Sequence, residues 1–317
     1  MPRVSAAVLN YNGRGLLEVV LPSLAAQEYR DFETVVVDDC STDDSVSYIH
    51  EMWPEVRVVS AGAANVGVAA ALNAAVGTAT GEFVALLNND IELDPHWLGE
   101  LVAALDRHPE AGSVAGKLLN YRRRELLDGA GDIFTRAAMG WGRGAGAPDE
   151  GQYDLEEEVF APTAGAGLYR AAALADVGPF DESFFAYFED VDWGLRAQWA
   201  GYRSRYVPTA IGYHMGRQTT KGDQNPLYFE LQRRNTLAVV IKNVPVRFLL
   251  RNAHIVVGHH LLSLAYSARA GMLHAHLRAF RAAIRASPGW LRARRAIMRR
   301  RRIAASEFDR FVSARRG

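Results

Sequence analysis

The chain has 317 residues, 49% of them hydrophobic and 23% charged, enough for one large domain or two smaller ones around a substantial core. The composition matches no disordered, collagen-like or coiled-coil chain, and a lone cysteine, Cys40, excludes a disulfide framework and any multi-cysteine zinc or iron–sulfur site. The zero net charge hides an asymmetry: residues 269–317 hold 14 arginines against Glu307 and Asp309, a net of +12, and residues 1–268 hold the compensating −12.

In chain order, residues 4–9 read as a buried strand and 15–27 as a helix. Residues 34–37 are a second strand ending in Asp38-Asp39, after which Ser41 or Thr42 caps a helix whose start suits Asp43 and Asp44. A third strand over 56–60, an Ala-rich helix over 66–76 and a fourth strand over 83–87 follow. The last ends in Asn88-Asn89-Asp90, and Pro95 opens a further helix. Strands alternating with helices at this spacing predict a parallel α/β sheet, with ligands beyond the carboxyl ends of its strands. The polar clusters at 10–13, 38–41 and 88–90 all lie at those ends, aimed at one crevice. Residues 120–160, rich in glycine (Gly140, Gly142, Gly144, Gly146), read as a surface excursion or flap. Regular structure resumes at 163–169, a helix covers 184–201, and a strand near 204–207 leads to His214. From Tyr228 onward the pattern is helical.

No signal peptide is expected, because Met1-Pro2-Arg3-Val4 runs straight into the first strand. No window reaches the roughly 20 apolar residues of a spanning helix; the nearest, 253–268, is broken by His254, His259 and His260. A lone cysteine fits a reducing, cytoplasmic setting.

Asn88-Asn89-Asp90 offers oxygen ligands of the kind Mg²⁺ or Mn²⁺ prefers, although taken alone the segment reads more simply as an Asx turn closing the strand. Glu189-Asp190-Val191-Asp192 packs three carboxylates into four positions beside aromatic residues, surroundings that raise proton affinity and suit a general base. The plainer explanation is a helix start decorated with acids. His214 alone reads as a core histidine, and Arg196 as the i,i+4 partner of Asp192. Gly13-Arg14-Gly15 with Asp38 or Asp39 imitates half of a dinucleotide fingerprint. Glu18 stands where its third glycine belongs, and a nicotinamide-dependent oxidoreductase leaves Asp90, Asp190 and His214 unexplained.

Taken together, Val8-Leu9-Asn10-Tyr11-Asn12-Gly13, Val36-Val37-Asp38-Asp39-Cys40-Ser41-Thr42-Asp43, Asn65-Val66-Gly67, Asn88-Asn89-Asp90, Gly165-Ala166-Gly167 and Glu189-Asp190-Val191-Asp192 resemble the inverting glycosyltransferases of family 2. The resemblance runs from Val4 to about Pro245. Tyr228, Arg233-Arg234-Asn235 and Lys242-Asn243 are similar to the rhamnosyltransferase-like branch. It implies a GT-A type α/β fold, a mostly parallel central sheet flanked by helices. The glycosyltransferase domain would cover 1–245, with nucleotide-sugar binding in about 1–120 and the acceptor and catalytic part in about 121–245. A helical, basic region would follow over 246–317.

The resemblance also implies roles. Tyr11 and Asp39 would hold the nucleobase of a uridine or thymidine diphosphate sugar, rhamnose within this branch. Asn10, Asn12, Asn65, Gly67, Asn73 and Asn89 would line the nucleotide-sugar pocket. Asp90, His214 and Asn88 would bind the divalent cation (Mg²⁺ or Mn²⁺), position 88 departing from the Asp of many relatives. Asp190 would be the base, with Glu189 beside it, and Gly165, Ala166, Gly167, Asp192 and Trp193 would face the donor or acceptor sugar. The acceptor would be a hydroxyl of a glycan or lipid-linked saccharide in cell-envelope polysaccharide assembly. A catalytically silent nucleotide-sugar binding module would keep Asp39 and tolerate loss of Asp190, whereas both are present. Cys40 reads as a small buried hydrophobe. The basic end places Trp290, Leu291, Arg294, Ile297 and Met298 at near-helical spacing before Arg300-Arg301-Arg302. That pattern suits an interfacial helix on an anionic membrane surface, and no nucleic-acid recognition module accompanies it.

Overall fold

Strand β1 (Val4–Asn10) is buried along its whole length, and alternate residues serve two cores. Val4, Ala6 and Val8 point into one, Ala7 and Leu9 into the other. This period of two places β1 in the middle of a sheet covered on both faces. The computed structural model describes residues 1–163, 165–216 and 225–313.

After β1 come α1 (Arg14–Ala25), β2 (Phe32–Asp38), α2 (Ser45–Met52), β3 (Arg57–Ser60), α3 (Val68–Thr78) and β4 (Phe83–Asn88). The order β3-β2-β1-β4 is parallel throughout, so the carboxyl ends share one edge. Next come β5 (Ile91–Leu93), α4 (Trp97–Arg107), β6 (Ala111–Asn120), β7 (Leu127–Ala130), β8 (Asp132–Thr135), β9 (Gly140–Gly142), β10 (Glu157–Val159), β11 (Ala166–Arg170), α5 (Ala171–Val177), α6 (Glu189–Trp199) and β12 (Arg203–His214). Strand β11 inserts antiparallel between β4 and β6, and β12 runs parallel to β6. The sheet is therefore parallel in its first half and mixed in its second. Helices α1 and α4 cover the Val4 face, and α3 covers the Leu9 face with Trp193 and Ala197 of α6.

The chain ends in α7 (Pro226–Asn243), α8 (Val246–Arg251), α9 (Ala253–Arg269), α10 (Leu273–Arg300) and β13 (Val312–Ser313). Residues of α6, α7, α8 and α10 share one hydrophobic cluster. Arg294 of α10 donates to the carbonyls of Ile241 and Val244 at the end of α7. Phe308 and Phe311 pack on Trp199, Phe308 also meets Phe248, and β13 pairs with β8. Residues 314–317 of the basic end lie outside the described residues.

Four local expectations change. Residues 120–160 are not a surface excursion: β7 and β10 extend the central sheet, and β8 and β9 form a small one with β13. The helix expected to open at Pro95 starts at Trp97, with His96 at its N-cap. Neither Ser41 nor Thr42 caps α2, which starts at Ser45 because Ser41 is engaged with Asp38. The helix expected over 184–201 begins only at Glu189, because Phe185, Tyr187 and Phe188 all adopt positive φ (63°, 69° and 69°). Such backbone is strained in bulky L-residues and breaks helical hydrogen bonding.

Candidate active site

The strand ends meet at a cavity of about 740 Å³. Tyr11 after β1, Asp39 after β2, and Asn88, Asn89 and Asp90 at the end of β4 line its inner wall. Glu189 and Asp190 of α6 stand on another side, and Tyr228 and Arg233 of α7 with Leu262 and Tyr266 of α9 form the outer wall. The three polar strand ends do converge on one crevice.

At the first station, Asp39 is buried and both carboxylate oxygens accept backbone amides, Val66 N–H at 2.7 Å and Gly67 N–H at 2.9 Å. Each oxygen keeps a further lone pair for a ligand donor. Gly67 sits at φ +84°, and a Cβ there would come within 2.5 Å of the Phe185 ring, so only glycine permits this packing. Asn65, exposed, and Tyr11 stand at the same end.

Three asparagines expected to bind nucleotide hold protein instead. Asn10 does border the cavity, but its amide donates to Asp38 (3.0 Å) and Ser41 (3.2 Å), and its oxygen accepts from Asn89 (2.8 Å). Asn12 accepts from the amides of Thr42 and Asp43 and lies off the cavity wall. Asn73 exchanges two hydrogen bonds with the backbone of Phe180 and donates to Glu182, also away from the wall. These side chains lock strand-end loops to one another. Cys40 is only half-buried and left-handed (φ 63°), with its thiol 3.7 Å from the Ala63 carbonyl, rather than a buried hydrophobe.

At the second station, Asp90 is buried, and Oδ1 has no hydrogen-bond partner among the described residues. Oδ2 lies 3.4 Å from His214 Nε2, and His214 Nδ1 is 2.8 Å from Asp128 Oδ2. Burial pushes the imidazole pKa down, but the bonds to Asp128 and Asp90 outweigh it and raise it to about 10. Asn88 borders the same space, and its side chain leaves no room for a Cβ at Gly165 (2.8 Å). Gly165 lines the cavity, whereas Ala166 and Gly167 turn into β11, away from its wall. Among the described residues, no three His, Cys, Asp or Glu side chains form a complete ion site. A cation would need ligand oxygens beyond Asp90 and His214. The orphaned, buried Asp90 Oδ1 is chemically suited to one.

Asp128 and Asp132 carry chemistry that sequence reasoning missed. Asp132 opens on the cavity, and burial and then the charges of Asp190 and Asp128 hold its carboxyl well above the usual carboxylate range. The signal in the sequence is an acid in each of two consecutive short strands within the glycine-rich segment 120–160.

At the third station, Glu189 is buried with Oε2 unpartnered among the described residues, and burial followed by Asp190's charge pushes its carboxyl well above the ordinary value. Asp190 accepts the Val191 amide at 2.8 Å and faces the cavity. The left-handed aromatic loop before them is clamped from α7: Asn235 Nδ2 donates to the carbonyls of Phe184, Ala186 and Tyr187 at 2.8–3.0 Å. Arg234 donates to the Ser183 carbonyl. Asp192 and Trp193, expected at the sugar, are scaffold. Asp192 is fully buried between Lys242 Nζ (2.7 Å), Asn243 Nδ2 (2.8 Å) and Arg196 Nε (2.9 Å). Trp193 packs on Tyr169 and Phe180 and donates to the Gly178 carbonyl. The Arg234-Asn235 and Lys242-Asn243 pairs thus act on α6 and the loop that leads into it.

A model of glycosyl transferase family 2 matches residues 5–174, so α6, the end of β12 and α7 lie beyond the matched stretch. A Mycobacterium tuberculosis protein named N-acetylglucosaminyl-diphospho-decaprenol L-rhamnosyltransferase is 31% identical over 229 residues, 65% of this chain and 74% of that protein. The O-antigen biosynthesis protein RfbC of Myxococcus xanthus is 32% identical over 213 residues, 64% of this chain and 16% of that one. Among solved structures, the mannosyltransferase PcManGT from Pyrobaculum calidifontis in complex with GDP-Man and Mn²⁺ matches with a TM-score of 0.58 at 19% identity. The match covers 94% of this chain and 85% of that one, a likeness of fold, which is GT-A.

Proposed function

The chain belongs to glycosyltransferase family 2, and from that premise we propose that it moves a sugar, rhamnose in our reading, from a UDP or dTDP donor to a hydroxyl of a glycan or lipid-linked saccharide. The transfer would serve cell-envelope polysaccharide assembly at the cytoplasmic face of a membrane, with inversion at the anomeric carbon. The relative named as a rhamnosyltransferase supports the sugar and the lipid-linked acceptor. The observation that carries the reading is the meeting of Asp39, Asp90 and Asp190 on one cavity, with Asp90 Oδ1 buried and without a partner among the described residues.

In this reading Asp190 takes the acceptor hydroxyl proton as that oxygen bonds to the anomeric carbon. The bond from carbon to the diphosphate oxygen breaks in the same displacement, and the nucleoside diphosphate leaves. Burial and then Asp190's charge push the Glu189 carboxyl well above its ordinary pKa, which favours its neutral form and Asp190 as the base. Asp90, with Asn88 adjacent, and His214 once its Nε2 proton is given up would hold a divalent cation, which would neutralise charge on the leaving diphosphate. Asp128 keeps the His214 ring turned toward Asp90.

A screen of nucleotide sugars with Mn²⁺ or Mg²⁺, reading binding and hydrolysis, tests the donor class; no binding by any of them would end this reading. For the base, Asp39 should accept the imide N–H of uracil or thymine, which cytosine lacks. Uridine diphosphate should therefore bind at least about tenfold more tightly than cytidine diphosphate, since a buried acceptor left unpaired is penalised. Equal affinities by calorimetry would count against Asp39. For the cation, excess chelator should abolish transfer, and Asp90→Ala should weaken donor binding chiefly when metal is present. Full activity in chelator would remove the metal from the reaction.

A further inference from the structure

Of the stripe that the sequence offered for membrane contact, all but Leu291 face the protein. Trp290 is buried, Arg294 caps carbonyls of α7, and Ile297 and Met298 pack against the hydrophobic cluster shared with α6 and α7. A different face of α10 is open. Leu273, Leu277, Phe280, Ile284 and Leu291 repeat every three to four residues (or a multiple) and are all exposed, Ile284 by 58%. Over the first half of α10, ahead of Trp290, the inward face is built from Ala275, Ala279 and Ala283. Large apolar side chains outside and alanines inside invert the usual arrangement of a surface helix.

The neighbouring helices continue the face. Leu261 of α9 is 62% exposed and Leu250 of α8 73%, with Val257 and Leu264 open beside them. Arg281, Arg285 and Arg292 each follow a stripe residue by one position, about 100° round the helix, so a basic row edges the apolar one. No described carboxylate forms a salt bridge with these three. Over residues 246–306 the sequence holds 13 arginines and no aspartate or glutamate.

We propose that the outer face of α8–α10 docks on an anionic phospholipid bilayer and sets the cavity mouth against its surface. Apolar side chains enter the interface while the flanking arginines meet phosphate headgroups. A second copy on this face would bring the same arginines with no carboxylate to answer them, so charge complementarity selects the bilayer. No helix among the described residues is long and apolar enough to cross a membrane, which makes the contact interfacial. Continuity with the cavity gives the face its purpose. Helix α9, which carries Val257 and Leu261, also supplies Leu262 and Tyr266 to the cavity wall, and both are well exposed. A saccharide on a lipid anchor would meet this rim first; that step rests on the acceptor reading above, whereas docking does not.

Sedimentation of the full chain with vesicles decides it, comparing phosphatidylcholine alone with an equal mixture of phosphatidylcholine and phosphatidylglycerol at low and high salt. Truncation at 269 would strip α10 from α7, so point variants are the better probe. The protein should pellet with the anionic vesicles only, and less at high salt. Replacing Arg281, Arg285 and Arg292 together by Gln should lower partitioning roughly 10²-fold. Leu277→Ser with Phe280→Ser and Ile284→Ser should abolish it, and both variants should keep donor binding and the wild-type unfolding midpoint. Wild-type protein left in the supernatant with anionic vesicles at low salt overturns docking, as does unaltered binding by either variant. A dimer that the Ser variant dissociates would give the face to a second copy. Vesicle binding without transfer to any lipid-linked acceptor would leave docking intact and overturn the acceptor reading instead.

Discussion

Asp190→Asn should turn over at least about 10²-fold more slowly than the wild-type chain, with donor affinity nearly unchanged. The amide keeps the shape of the carboxylate and can still accept the Val191 amide, now made at 2.8 Å, but it cannot take a proton from the acceptor hydroxyl. Glu189→Gln is the matched control. Burial and Asp190's charge already favour the neutral acid at position 189, so a neutral amide of the same length should change turnover far less. Single-turnover rates and donor titrations on the two variants separate the roles. Near-normal turnover by Asp190→Asn together with a collapsed Glu189→Gln would exchange them. Asp132, whose raised pKa reflects burial and then Asp190's charge, should respond to the first variant by ionising more readily, because a like charge has gone.

Much of this arrangement was legible because buried strands announce themselves twice, by a short continuous apolar run and by the polar side chains that close it. Val4–Asn10 alternates between two cores and ends in polar residues, and the same holds where β2 runs into Asp39 and β4 into Asp90. Residue type alone could not say which polar side chains face ligand. Asn12 and Asn73 have the chemistry of ligand-binding amides, yet both are consumed by backbone groups of neighbouring loops. Asp128 and Asp132 were hidden because strands of four residues among glycines carry too short an apolar run to be seen. The left-handed turn at Phe185, Tyr187 and Phe188 has no glycine to mark it and is held by Asn235, some fifty residues away. In the first half of α10 both faces show helical spacing, and only packing reveals that alanines make the inner one.

Two residues beyond the proposed base, the same run of acids changes its work, and Asp192→Ala should lower stability by about 3–5 kcal/mol, the usual effect of leaving a buried charge without its partner. Asp192 has no exposed surface, and Lys242 is 2% exposed. Burial pushes the Asp192 carboxyl up, but Lys242 and then Arg196 outweigh it and hold the carboxyl below its ordinary value. With its folded pKa depressed, the contribution of Asp192 is complete above its unfolded value, about pH 4, and is lost as pH falls through the folded one. In the variant, Lys242 keeps Asp181 at 2.6 Å while Arg196 keeps only the carbonyls of Val177, Gly178 and Pro179. Urea unfolding at neutral pH should show the full loss, and the gap between variant and wild type should narrow in acid. Adding Arg196→Met should recover part of it, because the second substitution removes the charge the first one stranded, whereas Lys242→Met would strand Asp181 as well. A variant as stable as the wild type would mean that Asp192 is not the brace of α6, and the position of Asp190 would then have to be set by the Asn235 clamp alone.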